Sequence, residues 1–326
     1  MRPVKAAILG AAALALAACA APKPNDPGAY TAATTYAKLA PRYPFIRIAS
    51  RAVPPGVRAA LDIVYARHGG RALRLDLYLP AGATSRAPLP VIVLVHGGAW
   101  RSGGRDNLAP MAIRMAQRGY AGATIDYRLA PEARYPAAIH DVKAAVRWVR
   151  AHAGELGIDG ERIAVAGGSA GGQIASLAGV TNGDARFDPD AVPGAPSSDV
   201  AAIVNIDGLS DFTSAEARRH EDDPAKPSAA GAWFGGRYAE QPGLWRAASP
   251  LFYIGRATPP MLFIGSGQPR FSVGRAETVA RLRAAGVPQR VVVLPDTPHS
   301  FWLFDPWLEP TVDATVAFLG VHLRAR

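Results

Sequence analysis

Cysteine is almost missing from this chain. Cys19 is the only one among 326 residues, which excludes an internal disulfide framework and any multi-cysteine metal or iron–sulfur site. Lysine is scarce too: Lys5, Lys23, Lys38, Lys143 and Lys226 are the whole set, although arginine brings the formal charge to +10. The arginines are scattered singly, without a basic run, so nucleic-acid binding is not expected. There is no H-x-x-x-H pair and no phosphate loop, and hence no expected metal or cofactor. Long hydrophobic runs are lacking as well. The longest, Ala6 to Ala17, falls short of the roughly 17 residues that a membrane-spanning helix needs. With 49% hydrophobic and 19% charged residues, the chain has the composition of a globular protein with a large core.

That short run has the layout of a targeting segment. Arg2 and Lys5 precede it, and it ends in Leu16-Ala-Ala-Cys19. The pattern resembles the lipobox of bacterial lipoproteins, whose cysteine is lipidated and becomes the new N-terminus. The resemblance implies a lipoprotein signal peptide at 1–18 and a lipidated Cys19. Residues 19–45 then form a tether and N-terminal adaptor, and 46–326 a single α/β domain. It also implies an exported, membrane-anchored protein; Ala20 after the cysteine resembles lipoproteins sorted to the outer membrane, facing the periplasm or the cell surface. Residues 30–60, with Pro41, Pro44, Pro54 and Pro55, suggest no definite element.

From residue 61 the patterning is informative. Leu61–Arg67 and Arg71–Leu79 alternate apolar and polar residues around Gly69-Gly70, a hairpin signal with one face wet. Val91–Val95 is a continuous apolar run, mostly β-branched, as in a strand buried on both faces. Further strands are predicted at 122–127, 163–166, 201–206, 260–264 and 289–294, with helices at 107–119, 136–152, 274–286 and 309–323. Strand and helix alternate, which implies a mostly parallel central sheet with helices on both faces. Two stretches interrupt it: 181–199, and a longer one at 210–250 that predicts a small cap or insertion after the sixth strand.

The stretch carrying chemistry is Ile163-Ala-Val-Ala-Gly-Gly-Ser169-Ala-Gly-Gly172. A strand, G-x-S-x-G and then a helix-compatible segment form the nucleophile-elbow context, which marks Ser169 as a nucleophile with the Ala170 N–H beside it. Upstream, His96-Gly97-Gly98-Ala99-Trp100 follows a buried strand directly. This is an oxyanion-loop pattern in which Gly97, Gly98 and Ala99 offer backbone N–H groups. His96 itself suits orienting that loop. His299, just past the last strand, is placed to be the general base.

By these motifs the chain resembles the α/β-hydrolase superfamily, and most closely bacterial feruloyl- and acetylxylan-esterase-like (BD-FAE-like) proteins. The resemblance also rests on Asp126-Tyr-Arg-Leu-Ala-Pro131, on Tyr135 to Trp148, and on Pro298 to Thr311. Similarity to hormone-sensitive-lipase-like esterases is partial, because their D-P-L-x-D motif is missing. One departure stands out. Relatives place the triad acid in a turn after the seventh strand, where this chain has Gln268, which carries no charge to stabilise an imidazolium. Asp207, at the end of the sixth strand, is the favoured replacement; Asp211, Glu277 and Asp296 are the others. The resemblance implies an α/β-hydrolase fold and a serine esterase acting on short-chain acyl or carbohydrate-linked acetyl or feruloyl esters. Arylformamidase- or peptidase-like amide hydrolysis, or a hydrolase-fold lipoprotein without catalysis, are the alternatives. The sequence leaves the oligomeric state open.

Overall fold

A computed structural model describes residues 29–323. The signal-peptide reading of 1–18 and the lipidation of Cys19 lie outside the described residues. Eight strands form one sheet: β1 Val57–His68, β2 Arg71–Pro80, β3 Leu89–Val95, β4 Ala121–Ile125, β5 Ile158–Gly168, β6 Ala202–Ile206, β7 Met261–Gly265 and β8 Gln289–Val293. Their order is β1-β2-β4-β3-β5-β6-β7-β8. The predicted hairpin is β1 and β2, paired antiparallel across Gly69-Gly70, and β2 is also antiparallel to β4. All other neighbours are parallel.

The β-branched run of β3 shows why the sheet is covered on both faces. Successive side chains point to opposite sides of a strand. Val91, Val93 and Val95 pack into one core with Val142 and Val146 of helix Ala137–Ala151 and Ile174 of helix Ala170–Val180. Ile92 and Leu94 pack into the other with Met111 and Met115 of helix Ala109–Gln117 and Phe318 and Leu319 of helix Leu308–His322. All five residues from Val91 to Val95 are fully buried. The central strands therefore end at fixed positions, and the loops leaving β3, β5, β6 and β8 converge at one end of the sheet, where an open α/β sheet binds ligands.

The stretch between β6 and β7 forms the expected insertion, as three short helices: Ala215–Glu221, Ala229–Phe234 and Pro242–Ala247. Ser214 and Ser228 cap the first two by accepting the Ala217 and Gly231 N–H groups. Trp233 and Trp245 are fully buried beneath them, with Trp233 stacked on Trp100 at 5.2 Å.

Residues 30–60, which suggested no element, do contain structure. Thr31 and Thr34 make a capping box for helix Ala32–Leu39, which has no buried residue of its own. Arg47–Ile48 then pairs antiparallel with Phe304–Asp305. A helix lacking an apolar stripe gives no periodic signal, which is why patterning missed it.

Candidate active site

Ser169 joins β5 to helix Ala170–Val180 with φ 57° and ψ −123°, a conformation that costs a non-glycine residue about 1–3 kcal/mol. Close packing holds it there. The serine N–H donates to the Ile206 carbonyl at 2.8 Å. A Cβ on Gly171 would overlap the Val95 carbonyl oxygen and reach 2.5 Å from that of His96, and one on Gly167 would overlap Gly171. These contacts are with backbone, which cannot swing aside. Gly171→Ala is therefore expected to push the elbow helix off β3 and to destabilise the protein by about 3 kcal/mol or more. A lower denaturation midpoint with unchanged slope in urea checks this; an unchanged midpoint contradicts it.

The base and the acid arrive from two other loops. His299 Nδ1 lies 3.1 Å from Asp207 Oδ2, and His299 Nε2 lies 2.8 Å from Ser169 Oγ. A carboxylate only accepts, so Nδ1 carries the proton and Nε2 is left to accept from the serine hydroxyl. The imidazole is fixed on both sides. Phe271 stacks on it at 3.4 Å between centroids, and Trp302 meets it edge-on at 5.3 Å. Burial pushes the His299 pKa below its usual value, while the hydrogen bond and charge of Asp207 act in the opposite direction.

Asp207 follows β6 with φ 50°. Its N–H donates to the Ile264 carbonyl, and its Oδ1 accepts the Ser266 N–H at 2.9 Å. Its side chain is only 1% exposed. Arg275, at the start of helix Arg275–Ala284, passes close to Gly265 on the side of this carboxylate. The other candidate acids are placed elsewhere. Asp211 accepts the Thr213 and Ser214 N–H groups in a turn. Glu277 is largely exposed and lies 3.8 Å from Arg281. Asp296 and Gln268 line a separate surface cavity with Arg42. Gln268 Nε2 donates to the Thr297 carbonyl at 3.1 Å, so its amide braces the loop that carries His299 without touching the imidazole.

The oxyanion-loop candidates lie opposite. Gly98, Ala99, Ser169 and Ala170 line one cavity of about 310 Å³, together with Tyr30, Trp100, Leu209, Glu221, Arg270, Phe271 and His299. Gly97 sits behind them, where a Cβ would come within 2.8 Å of the Gly168 carbonyl oxygen and 3.1 Å of Ser169 Cβ. Gly98 and Ala99 both have positive φ, 125° and 51°, which turns the loop sharply. His96 donates its Nδ1–H to the Gly97 carbonyl at 2.7 Å and stacks on Tyr127, whose hydroxyl donates to the His96 carbonyl. Burial lowers the His96 pKa, in keeping with a neutral loop-orienting ring. The Asp126–Pro131 motif is thus scaffold: Asp126 binds Arg105, Tyr127 and Ala130 hold the loop, and Arg128 grips the buried Asp141.

Several wall residues carried no signal in the sequence. Tyr30 belongs to the stretch without patterning, yet its hydroxyl donates to Ser300 Oγ at 3.0 Å, beside His299. Glu221 and Arg270 form an ion pair of 3.0 Å across the cavity, although they are 49 residues apart. Phe271 lines the cavity, whereas Trp233, Trp245 and Trp302 are core. Among the described residues no cluster of three His, Cys, Asp or Glu side chains is placed to hold a metal ion.

The comparisons with known proteins agree on the type of fold. Esterase LipC of Mycobacterium tuberculosis is 37% identical over 250 residues, covering 73% of this chain and 60% of its own length. Esterase LipQ of the same organism is 34% identical over 267 residues, covering 80% and 62%. The chain thus spans about three fifths of the length of these curated relatives. Among solved structures, the propionate-bound esterase 2 of Thermogutta terrifontis superposes with a TM-score of 0.67 at 25% identity, covering 83% of this chain and 97% of that one. A bifunctional GH43-CE protein of Bacteroides eggerthii gives 0.67 at 27% identity, covering 81% and 38%. The sheet order and these superpositions make this an α/β-hydrolase fold. The BD-FAE family model matches residues 75–274, more than half of the chain and inclusive of Ser169 and Asp207, and the chain belongs to the BD-FAE family.

Proposed function

We propose that this protein is a serine hydrolase of carboxylic esters. One observation carries the reading: the Ser169–His299–Asp207 chain of contacts, at 2.8 and 3.1 Å, opens into the cavity lined by Gly98, Ala99 and Ala170. Ser169 Oγ attacks the acyl carbonyl as His299 Nε2 takes its proton, and Asp207 stabilises the imidazolium. The N–H groups of Ala170, Gly98 and Ala99 hold the oxyanion, each worth on the order of 3 kcal/mol. His299 then protonates the leaving alcohol, and water, deprotonated by the same imidazole, clears the acyl-enzyme. A cavity of about 310 Å³ suits a short acyl group and a small alcohol, and the substrate class is short-chain or carbohydrate-linked acyl esters. The names of the relatives support the reaction class. The leader pattern supports an exported lipoprotein, lipidated at Cys19, with residues 46–326 as the bulk of the catalytic domain and the preceding adaptor lending Tyr30 to its cavity wall.

Hydrolysis of p-nitrophenyl acetate across pH tests the reading. The base must be neutral, and burial lowers the His299 pKa. kcat/KM should therefore rise with pH through a midpoint below the ordinary histidine value and be level at neutral pH. Absence of turnover, or an ascending limb well above that value, would contradict it.

A further inference from the structure

Between Gly28 and Leu61 the chain carries Lys38, Arg42, Arg47, Arg51 and Arg58 and not one Asp or Glu. Scattered arginines thus become a one-signed stretch because acid is missing. The stretch is also where apolar side chains are left in the open: Phe45 is 57% exposed, Ile48 43% and Val53 43%. Phe45 sits in an aromatic cluster, with Ile48 three residues on in the same segment. Phe45 and Tyr43 both meet Trp307 edge-on, at 5.6 and 5.5 Å, and the Arg42 guanidinium lies 5.5 Å over the Tyr43 ring. Ile48 pairs in register with Phe304, whose ring is 6.4 Å from that of Tyr36. Arg51 is engaged by Asp106, but Lys38, Arg42 and Arg47 have no ion pair among the described residues. The nearby acids Asp305 and Glu309 face Arg114.

We infer that this face is a docking surface for an anionic phospholipid bilayer. Aromatic rings with an apolar edge settle at headgroup depth, and arginines between them meet lipid phosphates. A protein partner would need complementary acidic groups at matched positions, whereas a bilayer supplies negative charge everywhere on its surface. Position agrees with charge. In the sequence Cys19 stands ten positions before Ala29, the first described residue, a span of about 35 Å for a fully extended chain. The charge pattern and the exposed rings carry the inference whether or not Cys19 is lipidated. The stretch begins at Tyr30 in the cavity wall, and the eight-residue helix Ala32–Leu39 that separates it from the exposed rings is about 12 Å long. Docking would therefore hold the cavity close to the lipid.

The full chain carrying Phe45→Trp places a fluorescent reporter in the face, read as the difference from the unsubstituted chain. Vesicles of phosphatidylcholine doped with brominated phosphatidylcholine, with or without phosphatidylglycerol, supply the surface and the quencher. The added emission should shift to the blue and be quenched in the anionic vesicles and much less in the neutral ones. Each basic residue near an anionic leaflet changes partitioning roughly fivefold, so Arg42→Gln with Arg47→Gln should weaken docking by roughly 25-fold. The leader is the same in the anionic, neutral and arginine-substituted arms, so it cannot produce those differences. A Cys19→Ser arm should still dock in anionic vesicles; the loss of lipid mass from that variant reports separately on the leader. Unquenched emission in anionic vesicles, equal quenching in neutral ones, or indifference to the two arginine substitutions would overturn the inference. Retention on heparin without quenching would also overturn it, in favour of a soluble polyanion.

Discussion

Ser169→Ala is expected to lower kcat for p-nitrophenyl acetate by on the order of 10⁶-fold, with the fold intact. The serine hydroxyl has one partner, His299 Nε2 at 2.8 Å, and no backbone group relies on it. The strained position is held instead by the main-chain hydrogen bond to Ile206 and by the contacts at Gly167 and Gly171, all of which alanine keeps. Alanine at φ 57° carries a penalty similar to that of serine. Removing the nucleophile thus separates chemistry from stability, unlike Gly171→Ala, which strikes both. Initial rates give one measurement and a fluorophosphonate probe the other, since only an activated serine is labelled. A variant that kept more than about a hundredth of the rate would show that turnover takes another route, as no intact triad member can replace a missing nucleophile.

How much of this was readable in the residues differs from part to part, for physical reasons. The sheet was legible because a strand buried on both faces must be apolar throughout: Val91–Val95 announces itself, and β6, apart from Asn205, and β7 read the same way. The elbow was legible because a carbonyl lies where a Cβ of Gly171 would be, so the chain has no choice of residue there. The helix Ala32–Leu39 was illegible because none of its residues is buried. The cavity wall was also hidden. Tyr30, Glu221 and Arg270 come from three separate segments, and nothing local in any of them depends on the cavity. The Gln268 departure was legible as a vacancy in the pattern, with Asp207 first among several candidates to fill it. Only the three-dimensional path of β6 shows that Asp207 reaches Nδ1 while the glutamine amide turns to the Thr297 carbonyl.

That path makes Asp207→Asn the sharper experiment. Asparagine fits the same space and can still accept the Ser266 N–H through Oδ1, as Asp207 does at 2.9 Å. Its amide nitrogen then faces His299 Nδ1. Two donors cannot share that contact, so the imidazole shifts its proton to Nε2, the atom that must accept from Ser169. A drop in kcat of about 10⁴-fold follows, with the protein still folded. A residual rate remains, because the oxyanion donors and substrate binding are untouched. The pH profile tells this apart from simple misplacement. Asp207 raises the His299 pKa against the effect of burial, so without its charge the remaining activity should titrate at lower pH than in the unsubstituted protein. Gln268 supplies the control. Its amide is spent on Thr297, so Gln268→Ala should loosen the histidine loop and cost far less than the loss of Asp207, while Gln268→Asp in the Asp207→Asn background should not restore the rate. A loss under about tenfold for Asp207→Asn, well short of what a triad acid commands, would mean that another carboxylate reaches His299 during turnover. Rescue by Gln268→Asp would mean that the histidine loop can turn to accept its acid from the seventh strand.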